Sequence, residues 1–419
     1  MNNDKNLRHN FAVNMLDGSF FGLGLGFASL TAILPLFVSQ MTDSAILIGL
    51  IPALRGMGWQ LPQLLMANRV TQMKRFKPAV VLLTGGERIP YLGLAAIAWF
   101  LPSLNSQVAL VLTFALVIFA ALSSGVTSTS WQSMLAKIIP GRQLSTFFGM
   151  QAAAANLLLS IGAVVAAIIM ERIAMPQSFA VCFLLACAAM AISWFWLAQT
   201  REEEHRPHVS AAPDAKTFWH NLWAILKRDG NFRWFLIGRM CSQLAVVGFS
   251  FYTVYAVRHY NVSASEASAM TAVFAASQIV ANAGMGWFGD RWGNRAGMQV
   301  GLAAATASAF LAWLATSAVW FYFAFILAGV AVAAVWTIGM SMTIAFASPA
   351  ERPAYIGLSN TLTAPSTILA PLFGGWLADT FGYSTTFSVS IIGGILAVMV
   401  FWVLVKNPTP EFDFYQRRA

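Results

Sequence analysis

Charged residues are scarce in this sequence. Only 10% of its 419 residues are Asp, Glu, Lys or Arg, whereas 58% are hydrophobic. A soluble globular protein carries about 25% charged residues, so this chain has too few to cover a water-exposed surface of its size. The shortage of charge excludes a soluble enzyme and a secreted disulfide scaffold, and it predicts an integral membrane protein.

Cysteine motifs, histidine clusters and nucleotide-binding loops are lacking as well. The three cysteines, Cys182, Cys187 and Cys241, lie inside apolar runs and lack the CxxC spacing of a disulfide or metal motif. The five histidines show no ligand spacing, and no Walker motif is present. Gly22, Gly24 and Gly26 are spaced as in part of a nucleotide loop, but they lie inside an apolar run with no strand before them. Gly18, Gly22 and Gly26 instead predict a face for close helix packing. We therefore expect no cofactor, no metal, no catalytic residue and no ATP hydrolysis.

Long apolar runs are what the sequence has in abundance. Runs of about 20 apolar residues predict transmembrane helices, whereas β-barrel strands would be shorter and would alternate strictly. We predict an all-α integral membrane protein whose twelve transmembrane helices form two pseudosymmetric six-helix bundles. The predicted spans are 11–40, 45–68, 79–101, 107–136, 144–170, 178–199, 233–257, 266–288, 296–315, 318–346, 354–378 and 384–405.

The basic residues are distributed unevenly along the chain, whose net charge is +9. If both termini are placed on one side, only Arg172 and Arg258 fall in connections on the opposite side, and Arg55, Arg88 and Arg239 lie inside spans. Lys and Arg collect on the cytoplasmic side of membrane proteins. We therefore predict a multi-pass protein of the cytoplasmic (inner) cell membrane with both termini cytoplasmic, whose positive charge faces the lipid bilayer and not a nucleic acid.

One long connection divides the chain. It predicts an N-terminal six-helix bundle over 1–200, a cytoplasmic linker over 201–232, and a C-terminal six-helix bundle with a short tail over 233–419. The second part of the linker predicts an amphipathic helix on the cytoplasmic leaflet, and an ordinary solvated linker is the alternative. The apolar residues at helical spacing in this part are Phe218, Trp219, Leu222, Trp223 and Leu226.

The connection between the eighth and ninth spans carries a motif. Its residues are Gly286, Gly289, Asp290, Arg291, Gly293 and Arg295. This spacing resembles the GxxxDRxGxR signature of the major facilitator superfamily, and the twelve spans with a long central connection extend the resemblance to essentially the whole chain. The resemblance implies the major facilitator fold and a gating role for these residues, which in the family latch the cytoplasmic side when the transporter faces outward. The first-half copy departs from the signature, because Asn68 stands where Asp is usual.

Five charged residues lie inside predicted spans, where charge is costly and marks a functional hypothesis. Glu87 and Arg55 lie at similar depth, so we expect Glu87 to pair with Arg55 or with Arg88. Such a pair either takes part in coupling or only fixes helix packing. Asp17 and Arg239 hold equivalent places in the two halves, and we predict that they face each other and bind substrate or a proton in turn. The alternative is a cytoplasmic-end gate or a helix cap that does not titrate.

Polar and aromatic residues inside the spans supply a candidate cavity. On the fourth span the hydroxyl- and amide-rich run 123–133 predicts a cavity lining, although hydrogen bonds between helices explain such a run as well. The predicted substrate-binding residues are Trp131, Gln132, Gln151, Asn156, Arg239, Gln243, Tyr252, Tyr255, Gln278, Asn282, Trp336, Thr337, Met340 and Asn360.

This inventory suits a small organic, drug-like molecule better than a polyanion. We predict a monomeric secondary transporter, with no enzymatic activity, that exports such a molecule and is coupled to protons. Two alternatives stay open. One is proton-coupled uptake of a sugar or other metabolite, and the other is a non-transporting receptor on the same fold.

Overall fold

The structure is a computed structural model that describes residues 2–30, 32–204 and 215–408. The part of the predicted linker at 205–214 and the tail from 409 onward lie outside these residues. Every regular element in the described part of the chain is helical. The chain divides into two compact units, unit 1 (1–139 and 154–212) and unit 2 (140–153 and 213–419).

Unit 1 holds the helices of the first half of the sequence. They are α1 (Asn2–Phe27), α2 (Ile33–Val38), α3 (Ala45–Gln60), α4 (Gln63–Val70), α5 (Lys77–Arg88), α6 (Pro90–Phe100), α7 (Ser106–Ile138), the later part of α8 (Leu144–Arg172), and α9 (Gln177–Ala198).

Unit 2 holds the helices of the second half. They are α10 (Ala215–Arg228), α11 (Gly230–Val246), α12 (Tyr252–Tyr260), α13 (Ala264–Trp292), α14 (Asn294–Leu314), α15 (Val319–Ala333), α16 (Gly339–Ala345), α17 (Arg352–Phe381) and α18 (Tyr383–Met399). The first ten residues of α8 also belong to unit 2, so this one helix runs from unit 2 into unit 1.

Eight helical segments within the described residues are long and apolar enough to cross a membrane. The other four predicted spans coincide with α1 and α2, α3 and α4, α13, and α17. These segments are interrupted or carry charges such as Asp17, Arg55 and Asp290.

Each unit has its own apolar core. In unit 1, Phe37 packs against Phe179 and Phe183, with ring centroids 5.3 and 5.2 Å apart. In unit 2, Tyr252 lies among aromatic rings that include Phe321 and Phe387. These rings supply most of the apolar area that holds neighbouring helices together.

Two of the candidate membrane spans are interrupted. α5 ends at Arg88 and α6 begins at Pro90, because proline has no N–H to donate to the carbonyl one turn earlier. The residues Ala334–Ile338 form a π-helical turn between α15 and α16. Such turns are frequent at functional sites, and both interruptions lie beside candidate site residues.

The predicted amphipathic helix of the linker is present as α10. Leu222 and Ile225 are buried, while Trp219 and Trp223 are exposed. Arg228 at its end pairs with Glu351 at 2.8 Å, and the hydrogen bond with this carboxylate raises the pKa of Arg228. The helix is therefore fixed to unit 2 at one end, and its position on the leaflet stays a prediction.

Candidate functional site

Asp17 is the centre of a buried hydrogen-bond network in unit 1. Its Oδ1 accepts from Arg88 Nη2 at 2.9 Å and from Ser193 Oγ at 2.6 Å. Arg88 Nη2 also donates to Ser193 Oγ at 2.9 Å. All three side chains are buried. Three helices, α1, α5 and α9, therefore meet at one ion pair whose two charges compensate each other. Ser193 belongs to this network, although the sequence analysis did not predict it.

Glu87 forms the second ion pair, with Arg55 of α3 at 2.8 Å. This confirms the expected pairing of Glu87 and resolves its two alternatives in favour of Arg55. Consecutive residues on a helix do not face each other, so Glu87 and Arg88 point to different neighbours. One turn of α5 thereby binds α3 through Glu87 and α1 through Arg88.

Close packing of α1 positions Asp17. A Cβ on Gly22 would lie 2.2 Å from the carbonyl oxygen of Ala155, and one on Gly26 would lie 2.3 Å from that of Leu159. Only glycine permits this approach of α1 to α8. The predicted packing face is therefore confirmed at Gly22 and Gly26.

Arg239 of α11 lies in unit 2 and has a different environment. Its Nη1 donates to Ser359 Oγ at 2.8 Å, and its Cζ lies 5.9 Å from the ring centroid of Phe235. Its buried Nε has no hydrogen-bond partner within the described residues. The hydrogen bonds of Asp17 and Arg239 thus go to residues of their own units, and their predicted alternation stays a prediction.

The polar run on α7 is mostly buried and bonded to its surroundings. Thr129 donates to the carbonyl of Gln63 at 3.0 Å, and Gln132 donates to Ser128 Oγ at 2.9 Å. These contacts favour the alternative of hydrogen bonds within and between helices. Trp131 packs against the apolar cluster around Val70 at the same end of unit 1.

In unit 2 the structure brings together three predicted site residues. Thr337 Oγ1 donates to Asn282 Oδ1 at 2.8 Å, and Asn282 Nδ2 donates to the carbonyl of Gln278 at 2.7 Å. Thr337 belongs to the π-helical turn, and its neighbour Trp336 is 48% exposed. This line of polar groups joins α13 to the turn before α16.

Two predicted substrate-binding aromatic residues lie in the apolar core of unit 2. Tyr252 is 0% exposed, and its hydroxyl is hydrogen-bonded to Ser308 Oγ at 3.0 Å. Tyr252 does not line a cavity in this structure, because its ring is enclosed and its hydroxyl is satisfied, and its role in binding stays a prediction. Tyr255 stacks on His259 at 5.0 Å and packs against the same cluster.

The remaining predicted substrate-binding residues are dispersed. Gln151, Met340 and Asn360 are buried, and Asn156 is half-buried. Gln243 Nε2 donates to Ser242 Oγ at 3.4 Å. Their role in binding stays a prediction.

The signature motif of α13 caps the start of α8. Asp290 accepts from the backbone N–H of Ser145 at 3.1 Å and of Thr146 at 2.7 Å. The first N–H groups of a helix have no partner within the helix and carry partial positive charge. A carboxylate is therefore stabilised there.

Glycines allow this cap to form. A Cβ on Gly286 would lie 2.5 Å from the carbonyl oxygen of Ser145, and one on Gly149 would lie 2.3 Å from that of Asn282. Gly289 would likewise approach Ser145 Cβ to 3.2 Å. The two helices therefore touch backbone to backbone where Asp290 reaches α8.

The basic residues of the motif are held by rings and carbonyls. Arg291 lies 5.6 Å from the ring centroid of Trp287 and 5.4 Å from that of Trp292. Arg295 Nε donates to the carbonyl of Phe401 at 2.9 Å. Gly293 between them has φ +92°, a conformation that glycine adopts without strain. The motif thus forms a rigid corner between α13 and α14.

A second carboxylate cap, in unit 1, was not predicted. Glu202 accepts from the backbone N–H of Phe76 at 3.0 Å and of Lys77 at 2.7 Å, at the start of α5. It also pairs with Lys137 at 2.8 Å, and its side chain is 0% exposed. Its place in a charge-rich stretch after α9 makes it look like part of the linker. The sequence signal that could have predicted this cap is an acidic residue directly after a predicted span, on the side of the membrane where the predicted connections are rich in Lys and Arg.

No group of three His, Cys, Asp or Glu side chains in the described residues is placed to hold a metal ion.

Comparison with known proteins agrees with this arrangement. The sequence profile of the Major Facilitator Superfamily matches residues 88–257 and again residues 235–415. An uncharacterized MFS-type transporter of Schizosaccharomyces pombe is 26% identical over 140 residues, which are 33% of this chain and 31% of the relative. The match thus spans about a third of that relative's length.

Solved structures share the fold over almost the whole chain. The fucose:proton symporter of E. coli has a TM-score of 0.73 at 13% identity and covers 95% of this chain and 100% of its own. A proton:xylose symporter has 0.75 at 15%, with 97% and 98% covered. The human organic anion transporter has 0.71 at 14%, with 94% and 99% covered. Sugar and anion carriers share this fold, so the likeness does not identify a substrate.

The capped signature motif, the two helical halves and a profile match that reaches from Arg88 to residue 415 lead to one conclusion. This chain is a multi-pass integral membrane protein of the Major Facilitator Superfamily.

Proposed function

We propose that this chain is a secondary active transporter that moves a small organic molecule across the cytoplasmic membrane by alternating access, coupled to protons. Its working parts are two six-helix halves, 1–200 and 233–419, joined by the linker 201–232, in a monomer with both termini in the cytoplasm. Family membership supports transport over enzymatic activity.

The observation that carries proton coupling is the Asp17 network. Asp17 is 4% exposed and lies on a membrane-spanning segment with one Arg88 as its counter-charge. When a buried carboxylate of this kind takes up a proton, it becomes neutral and its ion pair with the guanidinium is lost. The polarity of the site in unit 1 therefore changes with protonation, which is what a coupling residue requires.

Export is the direction we propose first, since the aromatic, methionine and amide side chains of the candidate cavity suit drug-like molecules. Uptake by symport is the second candidate. It is favoured by the fucose and xylose symporters, which share the fold and are named for proton coupling.

Flux measurements in proteoliposomes test the proposal. Compounds that stabilise the purified protein are added to vesicles with an imposed pH gradient, and a pH-sensitive dye in the lumen follows protons. For exchange, an acidic lumen drives accumulation of the compound; for symport, an acidic exterior does. Failure of any gradient to drive flux of any stabilising compound would contradict transport and favour a receptor.

A further inference from the structure

Arg239 is the one intramembrane charge of the five that lacks an opposite charge in the described residues. Asp17 pairs with Arg88 and Glu87 with Arg55, but no described carboxylate lies within ion-pair distance of Arg239. Arg239 lies nine residues after the start of α11, about 14 Å along the axis, inside the segment Gly230–Tyr260 that is long and apolar enough to cross a membrane. An uncompensated charge inside such a segment marks a functional site.

The hydrogen bonds of Arg239 hold it in place without neutralising it. Nη1 donates to Ser359 Oγ, which lies 3.2 Å from Thr343 Oγ1. Thr343 in turn donates to the carbonyl of Gly339 at 2.7 Å. Because the hydroxyl proton of Thr343 is used in that bond, the hydroxyl of Ser359 donates to Thr343 Oγ1. The series of hydrogen bonds that begins at Arg239 therefore passes only through neutral groups.

These hydrogen bonds leave the Nε and Nη2 edge of the guanidinium without an acceptor in the described residues. The described residues accept no hydrogen bond from Nε or Nη2, and the Nε atom is buried. Gly339 packs beside this edge with no side chain of its own, and a Cβ there would lie 3.9 Å from Cζ and Nε, in van der Waals contact. The Nε and Nη2 edge is the one that a carboxylate binds with two parallel hydrogen bonds.

We propose that Arg239 binds a carboxylate group of the transported molecule, which is therefore an organic monoanion. The inference rests on the proposed transport function and narrows its substrate class. A phosphate dianion would need a second base, but the other basic residues in the described part of unit 2 lie near helix ends. Ser359 positions the guanidinium and makes no contact with the anion.

A stability comparison tests the missing counter-charge without any ligand. Arg239→Met and the control Arg88→Met are purified in detergent, and thermal unfolding is followed. We expect Arg88→Met to have a lower Tm than the wild type, because it leaves Asp17 unpaired, and Arg239→Met to have a Tm at least equal to the wild type. A loss of Tm in Arg239→Met as large as in Arg88→Met would overturn the proposal, since it would reveal an anionic partner within the protein.

A binding comparison tests the ligand class. The probes are acids and their neutral amides: benzoate and benzamide, butyrate and butyramide, indole-3-acetate and indole-3-acetamide. We expect at least one acid to raise the Tm of the wild type more than its amide, the effect to vanish in Arg239→Gln, and part of it to remain in Arg239→Lys. Amides as effective as acids, no acid that exceeds its amide, or an effect that survives Arg239→Gln would each overturn the proposal.

The two proposals fail separately. Proton-driven flux of a neutral compound, with no preference for carboxylates, would contradict the proposed monoanionic substrate and would still support the transport function. If carboxylates bind and binding requires Arg239, but no gradient drives flux, the transport function is contradicted and the anion site at Arg239 is supported.

Discussion

At the residue scale, the ion pairs of unit 1 are costly to break. A charge buried without its partner keeps its desolvation cost and loses the compensating attraction, and removal of one partner of a buried pair typically costs about 3–5 kcal/mol. Asp17 and Arg88 are both buried, and Arg55 and Glu87 lie within hydrogen-bond distance. The two pairs therefore stabilise unit 1 only as pairs, whatever their role in transport.

Asp17 permits a variant that separates coupling from stability. Asp17→Asn leaves Arg88 unpaired, so we expect a lower Tm and altered transport. The double variant Asp17→Asn/Arg88→Met removes both charges, so its Tm should recover most of the loss. If Asp17 carries the proton, the double variant stays uncoupled: substrate equilibrates but no longer accumulates with a pH gradient. Proteoliposome flux at several pH values, beside a thermal unfolding curve, measures both effects.

A purely structural pair predicts the opposite result for transport. In that case the double variant would regain gradient-driven accumulation together with its stability. Unchanged transport and unchanged pH dependence in Asp17→Asn itself would also remove Asp17 from the mechanism.

At the element scale, two helices begin on a carboxylate supplied from elsewhere in the chain. Asp290 caps α8 and Glu202 caps α5, each through two backbone N–H groups. Glu202 differs because it is fully enclosed and has Lys137 as a counter-ion. Lys137 also donates to the backbone carbonyl of Glu203. The start of α5 and the ends of α7 and α9 are thereby bound at one point.

Glu202 is therefore expected to stabilise unit 1. Glu202→Gln keeps the size of the side chain but turns one acceptor into a donor that faces N–H groups and an ammonium. Loss of charge-assisted hydrogen bonds should lower the free energy of unfolding by about 1–3 kcal/mol. Glu203→Gln is the matched control, because that side chain is exposed and neutralisation should leave the Tm unchanged. Equal Tm values for the two variants would contradict the cap.

The helices and the motif could be predicted because their signals are local. Apolar run length marks the spans, and the spacing from Gly286 to Arg295 marks the corner that Asp290 completes. Pro90 likewise explains why a helix ends beside Arg88. Each of these features depends on residues close together in the chain.

The partners of the site residues could not be predicted in the same way. The pairing of Asp17 with Arg88 depends on which faces α1 and α5 turn to each other, and single serines such as Ser193 carry no signal. Tyr252 is an aromatic residue with a polar hydroxyl, as is typical of a cavity lining, but its face of α12 packs against Phe321 and Phe387. Contacts between distant helices decide these cases.

At the scale of the whole molecule, α8 connects the two units. By sequence α8 belongs to the first half, but its first ten residues cluster with unit 2, where Asp290 and the glycines of α13 hold them. Alternating access requires the two halves of the sequence to move against each other. The contact between the start of α8 and α13 is therefore where we expect the halves to separate during the cycle.

A disulfide tests this separation. A Cβ on Gly289 would lie 3.2 Å from Ser145 Cβ, close to the range of about 3.5–4.5 Å between the Cβ atoms of a disulfide. In a background without Cys182, Cys187 and Cys241, we expect oxidation of Ser145→Cys/Gly289→Cys to stop gradient-driven flux and a reductant to restore it.

The control is a tether of similar geometry inside the second half. A Cβ on Gly394 would lie 3.1 Å from Thr306 Cβ, and these residues join α18 to α14, which we expect to move together. Oxidised Thr306→Cys/Gly394→Cys should therefore transport like its reduced form. If the Ser145 and Gly289 tether forms and flux continues unchanged, the start of α8 does not part from α13 in the cycle, and the opening must occur elsewhere. If both tethers stop flux, the second half does not move as one body, and alternating access here involves rearrangement within that half.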